Sequence, residues 1–392
     1  MSVRRRVLVV HNFYKSHSPS GENGAVLRDI DMLNAAGYDV RTLARSSDSA
    51  GSASIADAGL GLWARKPVAE LQDIVSRGWI PNVMHVHNLF PLITTSVVRF
   101  ALRTCIPIVH TVHNYRRTCA AGTHFREGRI CEDCVRAIIP WPSVAHGCYR
   151  GSSLQTVPVA INQMVDRGVW ARLGAYIALT PFMRDRLVQD LAIPQDSIVV
   201  RPTSVSDPGD AWSDGEGLIF VGRLSREKGV ALLLDAWACS ESSRRTSLTI
   251  VGDGPERDYV LRRSRAMATV AVVGREDVDS VAKRLKSCKA LVLPSIWYEG
   301  FPTVVAEAFS YGKPVIACDN PNARSFIGEA GWLSAPDARS LSAIIDRVLL
   351  SQELVKKAGR KARSRYEAEM TLDSGFARLE DAYNLAIERT PR

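Results

Sequence analysis

No stretch of roughly 18 consecutive apolar residues occurs in the 392-residue chain, which argues against a membrane-spanning helix. The nearest thing to a leader is Arg4-Arg5-Arg6 followed by Val7-Leu8-Val9-Val10. Its apolar part is too short for a signal peptide and His11-Asn12 follow at once, so it reads as a first buried strand. No short-period repeat is present. Aromatic residues make up only 7% of the chain and do not interleave with a basic stripe, which argues against a nucleic-acid reader. No Gly-x-Gly-x-x-Gly follows the first strand, which disfavours a dinucleotide-binding dehydrogenase. Without a targeting signal the expected compartment is the reducing cytoplasm, where stable disulfides among the eight cysteines are disfavoured.

What is there describes a globular protein, with 46% apolar and 23% charged residues, long enough for two domains. The formal charge of +9 fits anionic partners, such as nucleotide diphosphates or anionic lipid, and equally fits a surplus of Arg that only aids solubility. Short β-rich runs alternate with helical patterns: Val7–Val10, Val40–Leu43, Val83–Val86, Ile108–Val112 and Tyr176–Leu179, with a helix over Ala25–Ala36. The turn-rich segment Ser204–Gly217 marks a boundary. The alternation then restarts with strands at Leu218–Val221, Leu248–Val251, Val270–Val273, Ala290–Leu293 and Pro314–Ala317, and a mostly helical tail from Ser340 to about Arg389. The expected class is α/β, with two doubly wound parallel sheets of similar size.

The sharpest signal follows Ala290–Leu293: Pro294-Ser295-Ile296-Trp297-Tyr298-Glu299-Gly300-Phe301-Pro302-Thr303, running on through Glu307-Ala308. This segment falls at the carboxyl edge of a parallel sheet, where open α/β folds bind ligands. Pro302 suits the first turn of a helix that would stop at Gly312. Backbone N–H groups around Gly300–Thr303 then make an anion site at the positive end of that helix. Glu299 and Glu307, eight positions apart, would be repelled by a phosphate but are strong acceptors for hydroxyl groups. A ligand with both a diphosphate and vicinal hydroxyls is a nucleotide sugar. Gly222-Arg223…Lys228-Gly229 ends another strand, and its two cations could converge on the diphosphate and neutralise a leaving group. Gly252-Asp253-Gly254-Pro255 and Gly274-Arg275 add glycine turns at strand ends, each unremarkable alone.

In this order the set resembles glycosyltransferase family 4, of GT-B fold, over nearly the whole chain. The resemblance implies two Rossmann-like domains facing across a cleft: residues 1–205 for the acceptor, with a cysteine-rich insertion at 115–150, and 206–374 for the donor. Residues 375–392 would form a helix crossing back to the first domain. It implies that Arg223 and Lys228 hold the donor pyrophosphate, that Glu307 binds the ribose, and that Glu299 and the amides of Gly300 and Phe301 meet the sugar and phosphate. Ser20-Gly21-Glu22 resembles the family's glycine loop, with Ser20 in place of one glycine. His113, ending a strand in His110-Thr111-Val112-His113-Asn114, matches an active-site histidine position; a lone histidine is more often structural, but at a strand end opposite a donor site the functional reading is favoured. His87 is balanced between the two readings. The implied chemistry is hexosyl transfer from a UDP- or GDP-sugar with retained anomeric configuration and no catalytic metal. A double displacement through Glu299 is the less favoured route.

Cys119, Cys131, Cys134 and Cys148 cluster in one loop-like stretch, the inner pair as Cys-x-x-Cys. Spacings of 12 and 14 to the outer two suit a structural four-cysteine zinc site; a redox pair, unbound thiols or disulfides are the alternatives. Cys105, Cys239, Cys288 and Cys318 read as small buried residues. Arg4–Arg6, Arg116, Arg117, Arg126 and Arg129 could meet anionic lipid heads, consistent with a glycan or lipid-linked acceptor in cell-envelope or exopolysaccharide assembly at the inner face of the membrane. No nucleic-acid partner is expected. The rival functions are a nucleotide-sugar isomerase on the same fold and a non-catalytic binding protein.

Overall fold

The computed structural model describes residues 4–14, 21–49, 64–209 and 213–391. The chain divides into two compact units. Unit 1 comprises residues 1–123, 132–202 and 375–392, and unit 2 comprises 124–131 and 203–374. The division thus lies at 202/203, against an expected 205/206. One piece changes sides: the hairpin of β5 (Phe125–Arg126) and β6 (Arg129–Ile130) groups with unit 2, although it lies within the first half of the sequence.

Unit 1 is built on a parallel six-stranded sheet. Its strands are β1 (Arg6–Phe13), β2 (Asp39–Ser46), β3 (Val83–Val86), β4 (Ile108–Val112), β7 (Ala175–Ala178) and β8 (Ile198–Val200), in the order β2-β1-β3-β4-β7-β8. Strands β3, β4 and β7 are buried along their whole length, which is why they appear in the sequence as unbroken apolar or imidazole-bearing runs. Val7, Val9, Val83, Val109 and Ile177 pack against Leu379, Tyr383 and Ala386 of the terminal Leu372–Arg389 helix. A buried ion pair, Arg201–Asp29 at 2.6 Å, also reaches that helix, because Arg201 Nε donates to the Gly375 carbonyl at 2.8 Å. Burial alone would raise the Asp29 carboxyl, but the Arg201 guanidinium holds it below its ordinary range.

Unit 2 repeats the plan with β9 (Leu218–Val221), β10 (Leu248–Val251), β11 (Val270–Gly274), β12 (Ala290–Leu293), β13 (Val315–Cys318) and β14 (Gly331–Ser334), ordered β11-β10-β9-β12-β13-β14. Numbered within the unit this is 3-2-1-4-5-6, the order associated with nucleotide binding where it reverses, between β9 and β12. Leu218, Phe220, Ile250, Val292 and Ile316 form the core with Trp237, whose indole N–H donates to Thr269 at 3.1 Å.

Ten strands fall within a residue or a few of their expected places. The short β5–β6 hairpin and strands β8 and β14 were not anticipated. β8 (Ile-Val-Val) is apolar but only three residues long, and β14 (Gly-Trp-Leu-Ser) is an edge strand that is only half-buried. The first helix spans Gly21–Ala35, starting four residues earlier than expected and ending one earlier. The helical tail resolves into Ala338–Leu350, Gln352–Glu369 and Leu372–Arg389.

Candidate active site

In unit 2 the carboxyl ends of β9 and β12 bring Gly222–Gly229 beside Pro294–Pro302. The Ile296 N–H donates to the Glu227 carbonyl at 3.0 Å. Two glycines make this approach possible. A Cβ on Gly229, which sits at φ 69°, would overlap the Pro294 carbonyl oxygen, and one on Gly252 would overlap that of Gly222. Gly254 and Gly274 extend the same neighbourhood, and Gly252 N–H donates to Gly274 O at 2.7 Å.

At the centre Lys228 Nζ lies 2.7 and 2.9 Å from the two carboxylate oxygens of Glu299, whose side chain is only 8% exposed. Ser295 Oγ donates to the same carboxylate at 2.6 Å, and Asn322 Nδ2 donates to the Glu299 carbonyl. Lys228 therefore does not stand clear as an anion ligand. A carboxylate this enclosed needs a cation beside it, and Lys228 supplies one while remaining at the edge of the site. Arg223 is different: it is well exposed, and its 3.2 Å pair with Glu227 is a surface contact worth little, so an incoming anion can compete for it.

The Thr303–Ser310 helix begins just beyond, with Pro302 as its N-cap rather than inside the first turn, and no side chain caps it. Its first-turn N–H groups are the kind an anion satisfies. Glu307 sits half-buried on this helix, and buried Phe301 packs on Phe326 with ring centroids 5.6 Å apart. Arg275 is not drawn in: it is exposed past the edge strand β11, two places from β9. Sequence reasoning missed Trp297. Its indole Nε1 is enclosed without a partner among the described residues, and Lys228 Nζ lies 5.4 Å from its ring centroid. No spacing signal could have announced the direction of that ring.

Unit 1 gathers five imidazoles at the ends of β1, β3 and β4. His87 Nδ1 and His113 Nε2 are 2.9 Å apart, with the rings stacked. His85 bonds to Tyr383 Oη at 2.9 Å and Thr111 Oγ1 at 2.7 Å, His110 to Arg117 at 3.0 Å, and His11 to Asn23 at 3.1 Å. Burial pushes His11 and His85 down to about 4 and His113 to about 3, and pushes His87 and His110 well below the ordinary value. At neutral pH these rings are uncharged, so His113 can orient a hydroxyl but brings no positive charge. Asp29, His85 and His87 also lie within reach of a single ion. Asp29 is already held by Arg201 and His85 by two hydroxyls, so the group reads as a hydrogen-bonded core.

His87 and His113 line a cavity of about 130 Å³ within unit 1, walled on one side by the Ser153–Trp170 helix. Three enclosed atoms in its lining, His87 Nε2, Asn162 Oδ1 and Gln163 Oε1, have no hydrogen-bond partner among the described residues. Buried polar atoms left in this state are costly unless a ligand or water meets them. Gly21 and Glu22 form the first turn of a helix instead of a loop before it; Ser20 lies outside the described residues. The enclosed Glu22 carboxyl is raised to about 7 by burial, against the lowering effect of Tyr14 and Arg116.

Several arginines expected to meet lipid turn inward instead. The Arg117 guanidinium lies against Trp170, 2.8 Å from its ring centroid, and that of Arg116 sits 5.0 Å from Phe90 and 5.8 Å from Tyr149. Arg126 is only 17% exposed along its side chain, whereas Arg4, Arg5 and Arg129 remain on the surface. Of the cysteine cluster, Cys119, Cys134 and Cys148 belong to unit 1 and Cys131 to unit 2, all half-buried. Among the rest, Cys288 and Cys318 are buried, and burial pushes both thiols up to about 12. Cys105 and Cys239 are exposed, contrary to expectation: Cys105 lies just past the Ser96–Arg103 helix and Cys239 is the last residue of the Val230–Cys239 helix.

Two family models match the chain: a glycosyl transferase 4-like domain over residues 20–203 and glycosyl transferases group 1 over 210–365. A phosphatidyl-myo-inositol mannosyltransferase of Mycobacterium leprae is 26% identical over 90% of this chain and 91% of its own length. A glycosyltransferase of Methanocaldococcus jannaschii is 26% identical over 46% of this chain, a match that spans about half (47%) of that relative. Among solved structures, Anabaena HepE in complex with UDP and glucose superposes with a TM-score of 0.66 at 15% identity, covering 97% of this chain and 100% of its own.

Proposed function

Because the chain belongs to the family 4 type glycosyltransferases of GT-B fold, we propose that it moves a hexose from a UDP- or GDP-sugar, with retention at the anomeric carbon. The acceptor is a hydroxyl of a glycan or lipid-linked intermediate of envelope or exopolysaccharide assembly, met at the cytoplasmic face of the membrane. The mycobacterial relative, named for transfer to a phosphatidyl lipid, supports this reading of the acceptor. The observation that carries the donor half is the Lys228–Glu299 pair set beside exposed Arg223 and an uncapped helix N-terminus.

The diphosphate lies against Arg223 and the first turn of the Thr303–Ser310 helix, where positive charge builds up opposite the leaving group. Glu307 takes the ribose hydroxyls. Glu299, fixed by Lys228 and Ser295, accepts from hydroxyls of the sugar, and Trp297 Nε1 donates to a ligand oxygen. The bond from the anomeric carbon to the phosphate oxygen breaks as the acceptor oxygen bonds to the same face, and the acceptor proton passes to that phosphate oxygen. The cavity beside His113 holds the acceptor, with Asn162 and Gln163 accepting from its hydroxyls and the neutral imidazole positioning the attacking one. The Cys-x-x-Cys pair Cys131/Cys134 and the spacings to Cys119 and Cys148 support structural zinc as the role of the cysteine segment, checked by metal content of the purified chain.

A panel of UDP- and GDP-sugars in thermal-shift assays tests the donor half. One donor should stabilise the wild type and fail to stabilise Arg223→Ala or Glu307→Ala. NMR of the glycosylated product should then show the donor's anomeric configuration. No stabilisation by any donor, or an inverted product, contradicts the proposal.

A further inference from the structure

The Ser153–Trp170 helix has two unlike faces. Its inner face carries Asn162 and Gln163 to the cavity, and Gln163 Nε2 donates to the Arg116 carbonyl at 2.6 Å. Its outer face presents Leu154, Val157, Ile161, Met164 and Val165, spaced three, four, three and one residues apart, so that they share one stripe. All five are exposed, Leu154 at 84% and Val165 at 55%. An apolar face left in water along a whole helix marks an interaction surface. Arg167 donates to the Ala137 carbonyl at 2.7 Å, which sets the next segment alongside. That segment adds exposed Ile138, Ile139 and Trp141, the last 66% exposed.

Charge selects the partner. The stripe itself holds no charged residue. The helix's one acid, Asp166, is turned inward to Arg99 at 2.9 Å and Thr95 at 2.7 Å. The exposed charges that bracket the helix are all positive: Arg150 before it, Arg167 in its last turn and Arg172 after it. A second copy of this chain would bring like charges together, whereas an anionic bilayer surface complements both the stripe and its rim. Trp141 adds an aromatic suited to the headgroup level.

We propose that this face, and not the basic residues singled out in the sequence, docks unit 1 on an anionic lipid surface. The helix would lie along the membrane while its opposite side receives the head of a lipid-linked acceptor. The docking deepens the acceptor reading given above and rests on it for its purpose.

Flotation with phosphatidylcholine vesicles containing roughly one-third phosphatidylglycerol tests it. Wild type should float with these vesicles, stay behind with pure phosphatidylcholine, and lose binding as salt rises. Leu154→Gln/Ile161→Gln/Val165→Gln should bind at least tenfold more weakly, and Arg150→Ser/Arg172→Ser should lose the preference for anionic lipid. Both variants should keep the wild-type melting temperature and donor-induced shift, which separates failure of docking from failure of the transferase reading. Equal flotation of the triple variant and wild type overturns the proposal, as does absence of wild-type binding. A wild-type dimer dissolved by the triple variant, seen by light scattering, would assign the face to self-association and overturn it too.

Discussion

At the carboxyl edge of unit 2, between β9 and β12, the sheet carries charge: Lys228 against Glu299, Arg223 against Glu227, and a helix N-terminus with no side-chain cap. At the same edge of unit 1, around β1, β3 and β4, it carries five uncharged imidazoles and a cavity with polar atoms that find no partner among the described residues. Both sheets are parallel and six-stranded, yet one edge suits an anion and the other a neutral, hydroxyl-bearing group. The architecture supplies the place, and the side chains at the strand ends decide which half of a transfer reaction each unit can serve.

Acid should break the comparison most widely. In the unfolded chain the imidazoles bind protons near 6.5; in the fold His11 and His85 do so only near 4 and His113 near 3. Over that window the unfolded state holds more protons. The contribution is therefore fully present above pH 6.5 and lost as pH falls toward 4. Glu22 works the other way. Its carboxyl rises from 4.5 to about 7, so stability from that group declines as pH climbs through this interval. Melting temperatures from pH 7.5 to 5 should fall steeply, and a flat profile contradicts the neutral-imidazole account.

The next effect belongs to unit 2. Glu299→Ala leaves Lys228 without its enclosed partner and should cost about 3 kcal/mol, measured by urea unfolding. Lys228→Met combined with Glu299→Gln, which removes both charges, should recover much of that loss while donor binding stays absent. If the single and double variants are equally unstable, the pair is not the ionic centre described here.

The strands of both sheets were legible because buried parallel strands leave unbroken apolar runs, as in Leu218–Val221 and Ala290–Leu293. Gly331–Ser334, a half-buried edge strand with only Trp332 and Leu333 apolar, left no such run. The residues proposed for the donor stand out in the sequence by type and spacing, but their pairing does not. Nothing in Gly222–Gly229 says that Lys228 turns to Glu299, 71 residues on, because that contact depends on strand order. Most hidden was the cavity, since Asn162 and Gln163 read as ordinary polar positions until the helix is rotated against β3 and β4. Arg117 shows the converse: a basic residue beside another basic residue looks like surface, yet it folds back onto Trp170.

The most direct test of this division of labour is calorimetric titration of the stabilising nucleotide sugar into two variants, Arg223→Ala in unit 2 and Gln163→Ala in unit 1. The account predicts donor affinity at least tenfold weaker in Arg223→Ala, about 1.4 kcal/mol, and unchanged in Gln163→Ala. Donor binding that survives Arg223→Ala but is lost in Gln163→Ala would contradict it, and would move the donor to the cavity of unit 1.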